Sequence, residues 1–295
     1  MTLAQMVDRF RSQNDCLAYL VKLRWPKAVT CPKCGSEKVY RLNGGKGYKW
    51  VCKQAHAKNG YRFSPLVGTI FENTNIDLRT WFQAIYLMCQ SKKGMSALQI
   101  QRTLGLGSYK SAWYMCHRVR AAMENTDFMM LMGDGTEVEV DETYIGGRAE
   151  NRHRAERRAR GGKHINVPVV GAIARKGKVV ARVVERATVE TLDSFVKQVV
   201  SPNVSLIASD EHHGYGKLKA AGYNHETVNH RRGEYARGVV HTATLESFWS
   251  LLKRGLVGSY HQVSRKYLPF YLAEFTFRHN ERDNPDLFSA VIAAC

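Results

Sequence analysis

The sequence predicts a multidomain α+β protein: a small metal-stapled β module, a helical region, and a mixed α/β domain. Three observations carry this expectation. A Cys-x-x-Cys knuckle at Cys31 and Cys34 opens a glycine- and aromatic-rich stretch, helical periodicity returns between Asp77 and Met123, and from Glu137 onward short apolar strands alternate with a helix. A length of 295 residues leaves room for more than one domain.

The elements follow in chain order. Met6, Phe10, Leu17, Leu20 and Leu23 fall at helical spacing and stop before Trp25-Pro26, which predicts one or two short helices. Between Ala28 and Pro65 the pattern turns strand-like, with Gly44-Gly45, Gly47, Tyr40, Tyr48 and Trp50. So small a core needs a staple. Cys31-Pro32-Lys33-Cys34-Gly35 supplies half of a tetrahedral zinc site, and Cys52 follows after 17 residues. Position 55, where a second Cys-x-x-Cys would repeat, is Ala55, so His56 is the best-placed fourth ligand; completion by another residue is the alternative. Zinc here is expected to be structural.

In the helical region Gly94-Met95-Ser96 marks a start, Gly105-Leu106-Gly107 a stop, and Ser108 an N-cap for the next helix. Ala112, Cys116, Val119 and Met123 form that helix's apolar stripe, with Lys110, Arg118 and Arg120 expected to point elsewhere. A helix-turn-helix with a basic outer face and an ordinary helical hairpin both fit. Beyond it, candidate strands cover 137–141, 167–174, 178–185 and 204–209, with a helix over 189–200. Three strands, a helix and a strand imply a crossover into a parallel pair.

Lysine plus arginine number 44 against 26 acids, a formal charge of +18, and the 44% hydrophobic composition argues for a folded chain. The charge points to a polyanion, with an acidic membrane surface as competitor. Seven of the positive residues lie in Arg148–His164, against two glutamates, which reads as a DNA-contacting loop. No apolar run long enough to span a bilayer occurs, and the charged N-terminus lacks a signal-peptide pattern, so a cytosolic protein without membrane association is expected. Seven cysteines, odd in number and unevenly spaced, do not form a secreted disulfide framework.

The acids carry the chemistry. In Glu137-Val138-Glu139-Val140-Asp141-Glu142 the valines share one strand face and Glu139 and Asp141 the other. Asp210 ends the strand-like Ser205-Leu206-Ile207-Ala208-Ser209, so parallel neighbouring strands would bring Asp141 and Asp210 together at their C-terminal ends. Glu246 and Lys253, seven residues apart in a helical stretch, share a face. Converging carboxylates need a cation, and a pair of Mg2+ ions serves phosphodiester chemistry. Glu142 is expected to be structural or to act behind Asp141, and Phe248 and Trp249 to be packing residues.

Taken in order, the knuckle, Gly68-Thr69-Ile70-Phe71-Glu72-Asn73-Thr74, Ser91-Lys92-Lys93-Gly94-Met95-Ser96, Val140-Asp141-Glu142-Thr143-Tyr144-Ile145-Gly146-Gly147 and Glu246-Ser247-Phe248-Trp249-Ser250-Leu251-Leu252-Lys253-Arg254 resemble bacterial insertion-sequence transposases with an N-terminal zinc ribbon and a DDE catalytic domain. The resemblance runs from about Asp15 to Asn284. It implies a helical segment over 1–27, a zinc ribbon over 28–70, a helix-turn-helix-like DNA-binding region over 76–128 and an RNase H-like catalytic domain over 134–295. It also implies that Asp141, Asp210 and Glu246 hold catalytic Mg2+ or Mn2+, with Lys253 in the family's lysine position; Glu274 is the alternative third acid. Cys31, Cys34, Cys52 and His56 would hold Zn2+. The implied partners are double-stranded transposon ends and target DNA, gripped by a homodimer or higher oligomer in the prokaryotic cytoplasm, on the nucleoid.

Overall fold

The computed structural model describes residues 1–42, 49–54, 60–124, 135–146, 166–210, 213–228 and 236–295. His56, the basic stretch 148–164 and His212 lie outside the described residues. The chain divides into two compact units, Met1–Met123 with Asp283–Cys295, and Glu124–Arg282.

In the first unit, α1 (Leu3–Arg9) and α2 (Gln13–Arg24) each begin with a capping box, Thr2 with Gln5 and Ser12 with Asp15. Strands β1 (Val39–Arg41), β2 (Trp50–Cys52) and β3 (Tyr61–Phe63) form an antiparallel sheet in that order. Cys31, Trp50, Cys52 and Phe63 make up its buried core, a small one for three strands of three residues each. Helix α3 (Leu78–Gln90) is apolar over most of its surface. Its Phe82 packs edge-on against Phe10 of the N-terminal segment and Phe288, a residue of α9 (Leu287–Ala293) at the far end of the chain.

Helix α4 (Ala97–Leu104) starts at the Ser96 cap and stops at Gly105, whose φ of 66° is left-handed. Ser108 caps α5 (Tyr109–Ala122) through the Lys110 amide. The stripe residues Ala112, Cys116, Val119 and Met123 are buried as expected, but Arg120 is buried with them, at 1% exposure. Arg120 stands four residues beyond Cys116 and so shares the inward face. It is not part of a basic outer surface.

The second unit is a five-stranded mixed sheet in the order β6-β5-β4-β7-β8, made of β4 (Glu137–Ile145), β5 (Val167–Ala174), β6 (Val179–Val183), β7 (Leu206–Ser209) and β8 (His225–Thr227). The first three strands meander antiparallel; β7 pairs parallel to β4, and β8 parallel to β7. This is the RNase H-like layout. Helix α6 (Val189–Val199) crosses between β6 and β7 and buries Leu192, Phe195 and Val196 against Val138, Val140 and Val170 on one face. On the other, α7 (Ala243–Gly255) and α8 (Leu268–Asn280) bury Leu245, Trp249, Leu272 and Phe275 against Val169, Ile173 and Val179. Strand β5, buried at every position, is the covered centre of this sandwich. No helix among the described residues is long and apolar enough to cross a membrane.

Candidate active site

Parallel pairing of β4 with β7 sets Glu139 beside Ala208, so Asp141 and Asp210, each two residues further on, lie side by side just past the end of β7, while β4 runs on to Ile145. Asp141 faces α7, where the Trp249 indole N–H donates to its Oδ2 at 3.0 Å. The indole fits because the β5 residue opposite Asp141 is Gly171. A Cβ there would lie 2.5 Å from the Trp249 ring.

Alternation places Glu142 on the α6 face of the sheet, away from Asp141. Yet the ligand oxygens of Asp141, Glu142 and Asp210 all lie within 4.8 Å of one another. Strand β7 ends at Ser209, so among the described residues no strand flanks Asp141 and Glu142 on that side of β4. Glu142 Oε2 accepts a 3.0 Å hydrogen bond from the buried Tyr215 hydroxyl, in the turn that follows Asp210.

Burial, then the charges of Asp210 and Glu142, push the Asp141 carboxyl up from 3.8 to about 8, outweighing the opposing Trp249 hydrogen bond. Burial and the same acids push the Tyr215 phenol upward too. Three oxygen donors whose negative charges oppose one another fit a hard divalent cation, which would reverse this effect.

Glu139, fully buried, does different work. Its Oε2 accepts from the Thr244 and Leu245 amides at 2.9 Å each, and its Oε1 from the Thr244 hydroxyl at 2.8 Å and Arg175 Nε at 2.9 Å. It therefore caps α7 in place of Thr242, whose side chain makes no capping bond, and a carboxylate suits the positive end of the helix. Arg175 also pairs with Glu137. Glu139 and Trp249 together tie α7 to the strand that carries Asp141.

Glu246 lies exposed in the first turn of α7, three residues before Trp249, and accepts from the Thr242 hydroxyl at 2.8 Å. It is outside the close trio. Lys253 is exposed in the last turn. Glu274, the alternative third acid, is buried in α8, bonded by Tyr260 and paired with Arg278, which makes it a structural residue. Sequence reasoning missed the capping role of Glu139, the hydrogen bond from Trp249, and Tyr215. The signal for Tyr215 is its place in Ser209-Asp210-Glu211-His212-His213-Gly214-Tyr215, five residues past an acid at a strand end.

In the other unit the sulfurs of Cys31, Cys34 and Cys52 lie within 4.8 Å of one another. The Cys34–Cys52 separation is 3.8 Å, the tetrahedral edge that Zn–S bonds of about 2.3 Å require. The three thiols fit a structural zinc.

Residues 130–280 match the ISXO2-like transposase domain, and residues 11–56 the transposase zinc-ribbon domain. An uncharacterized protein in transposable element ISH50 of Halobacterium salinarum is 27% identical over 286 residues, covering 92% of each chain. With its carboxylate trio inside the first match and its cysteine cluster inside the second, the chain belongs to the ISXO2-like transposase family and carries that family's zinc ribbon.

Proposed function

We propose that this transposase cuts DNA at the ends of an insertion sequence and joins those ends to target DNA, using Asp141, Asp210 and Glu246 as a DDE triad for two Mg2+ or Mn2+ ions. The observation that carries the reading is the meeting of Asp141 and Asp210 where the β4–β7 pairing ends, beside a helix that presents Glu246 and is tied to the same strand by Glu139 and Trp249. When bound, the ions would activate the attacking oxygen and stabilise the leaving oxygen of a phosphodiester.

Each residue then has a task. Asp141 and Asp210 fix the cation position between two parallel strands. Glu246 closes it from α7, and Lys253 two turns on holds a phosphate as a point charge. Water attack frees a 3′-hydroxyl at the element's end, and that hydroxyl attacks target DNA. One phosphodiester replaces another, so neither a covalent protein intermediate nor an external energy source is needed. The zinc ribbon, with His56 as fourth ligand, and the α4–α5 pair bind the double-stranded terminal repeats. Joining two ends calls for a homodimer or higher oligomer, acting on nucleoid DNA in the cytoplasm.

The test is a strand-transfer assay with linear DNA ending in the element's terminus and a plasmid target. Wild type with Mg2+ should yield cleaved and joined products, and Asp141→Asn, Asp210→Asn and Glu246→Gln should lower both by several orders of magnitude. Product from Asp210→Asn at the wild-type level removes the triad assignment. Cleavage without joining would identify a nuclease.

A further inference from the structure

We infer that Glu142 is an additional carboxylate ligand of the catalytic cation, set in place by the Tyr215 hydroxyl as its positioning residue. This rests on the triad reading above and extends it to a residue outside the triad. Glu142 belongs by alternation to the α6 face of β4, opposite to Asp141. Yet its oxygen comes within 4.8 Å of those of Asp141 and Asp210, a set that Glu246 does not join.

An independent feature holds it there. Tyr215 is 2% exposed and locked among Leu192, Val196 and Val138 in the α6-side core, yet its hydroxyl emerges from that core to donate to Glu142 Oε2 at 3.0 Å. A buried phenol aimed at a carboxylate fixes that side chain's rotamer. The short turn His213–Tyr215 begins three residues after Asp210 in the sequence. Mg2+ takes few protein ligands and keeps waters and phosphate oxygens; a third protein oxygen between Asp141 and Asp210 leaves such positions open.

The experiment is Mn2+ binding to the zinc-loaded full chain, followed by electron paramagnetic resonance, with thermal melting of the same zinc-loaded chain in chelator-free buffer without Mn2+ or Mg2+ measured alongside. Glu142→Gln keeps an oxygen to accept from Tyr215 and removes only the charge. Its Mn2+ affinity is expected to fall at least about tenfold, and that of Tyr215→Phe about tenfold. Without Mn2+ or Mg2+, Glu142→Gln should melt no lower than wild type, because one member of a mutually repelling carboxylate cluster becomes a neutral amide. Wild-type Mn2+ affinity in Glu142→Gln, with affinity lost in Asp210→Asn, overturns the inference and leaves the triad standing. Wild-type affinity in both variants removes the triad as well. A lowered melting temperature of zinc-loaded Glu142→Gln without Mn2+ or Mg2+ assigns the residue to the fold and also overturns the inference.

Discussion

Trp249 illustrates how one side chain serves core and chemistry together: its ring fills the space over Gly171, and its N–H meets Asp141. Trp249→Phe keeps most of the packing and removes the donor. We expect DNA cleavage to fall at least about tenfold, the usual scale for losing a group that orients a metal ligand, with the melting temperature little changed. A cleavage rate equal to wild type would reduce Trp249 to a packing residue. His225 makes a pH-dependent prediction. Its Nε2 lies 2.8 Å from the Ser209 hydroxyl, next to Asp210, and burial with the nearby Lys219 charge holds its pKa down at about 4, against 6.5 when unperturbed. A histidine with a depressed folded pKa supports the fold fully above pH 6.5, and that support is lost as pH falls towards 4. His225→Gln should therefore lose less melting temperature than wild type between pH 6.5 and 4; equal losses would sink the assignment. At this scale legibility in the sequence was uneven. Strand alternation found Glu139 and Asp141 on one face, but the reach of Glu142 around the end of β7 depends on where a distant strand stops. Arg120 was misplaced because a charged residue was assumed to face outward, although its spacing from Cys116 turns it inward.

Helix α7 is placed by contacts its own sequence does not advertise. Glu139 lies over a hundred residues upstream, yet supplies the missing cap and pairs with Arg175. Removing it uncaps the helix and leaves Arg175 with one carboxylate fewer. Glu139→Ala should cost about 3–5 kcal/mol in chemical denaturation, the scale for breaking a buried ion pair. A loss below about 1 kcal/mol would deny the clamp. Gly171→Ala should cost about 1–3 kcal/mol through overpacking against Trp249, and less in a Trp249→Phe background, where the smaller ring leaves room for the methyl group. The zinc ribbon was legible for the opposite reason: its cysteines are close in sequence, and the knuckle spacing is itself the geometry. The α4–α5 boundaries were legible too, since Ser96, Gly105 and Ser108 are local signals. The parallel pairing of β7 with β4 follows from the rule that three strands, a helix and a strand close through a crossover, whereas β8, only three residues long, is not among the candidate strands.

Over the whole chain, a charge of +18 surrounds a small focus of carboxylates, and the two should act on DNA with opposite sign. Lysines and arginines bind phosphates by releasing counterions, so log affinity falls with log salt by about 0.9 for each phosphate neutralised. Replacing Arg152, Arg154, Arg157 and Arg158 with glutamine should weaken binding at every DNA sequence and flatten that slope by up to about 3–4, if each meets one phosphate. The acidic focus does the reverse. With no Mn2+ or Mg2+ added to the zinc-loaded chain, carboxylates at Asp141, Glu142 and Asp210 would repel an incoming phosphodiester, so Asp141→Asn with Asp210→Asn should tighten DNA binding at low salt. Adding Mn2+ should tighten wild type and leave that double variant unchanged. The four-arginine variant should lose part of its salt dependence but keep the Mn2+ response, because a guanidinium can bind phosphate and cannot ligate a cation. If Mn2+ tightens the double variant as much as wild type, cation and DNA meet somewhere other than this pocket.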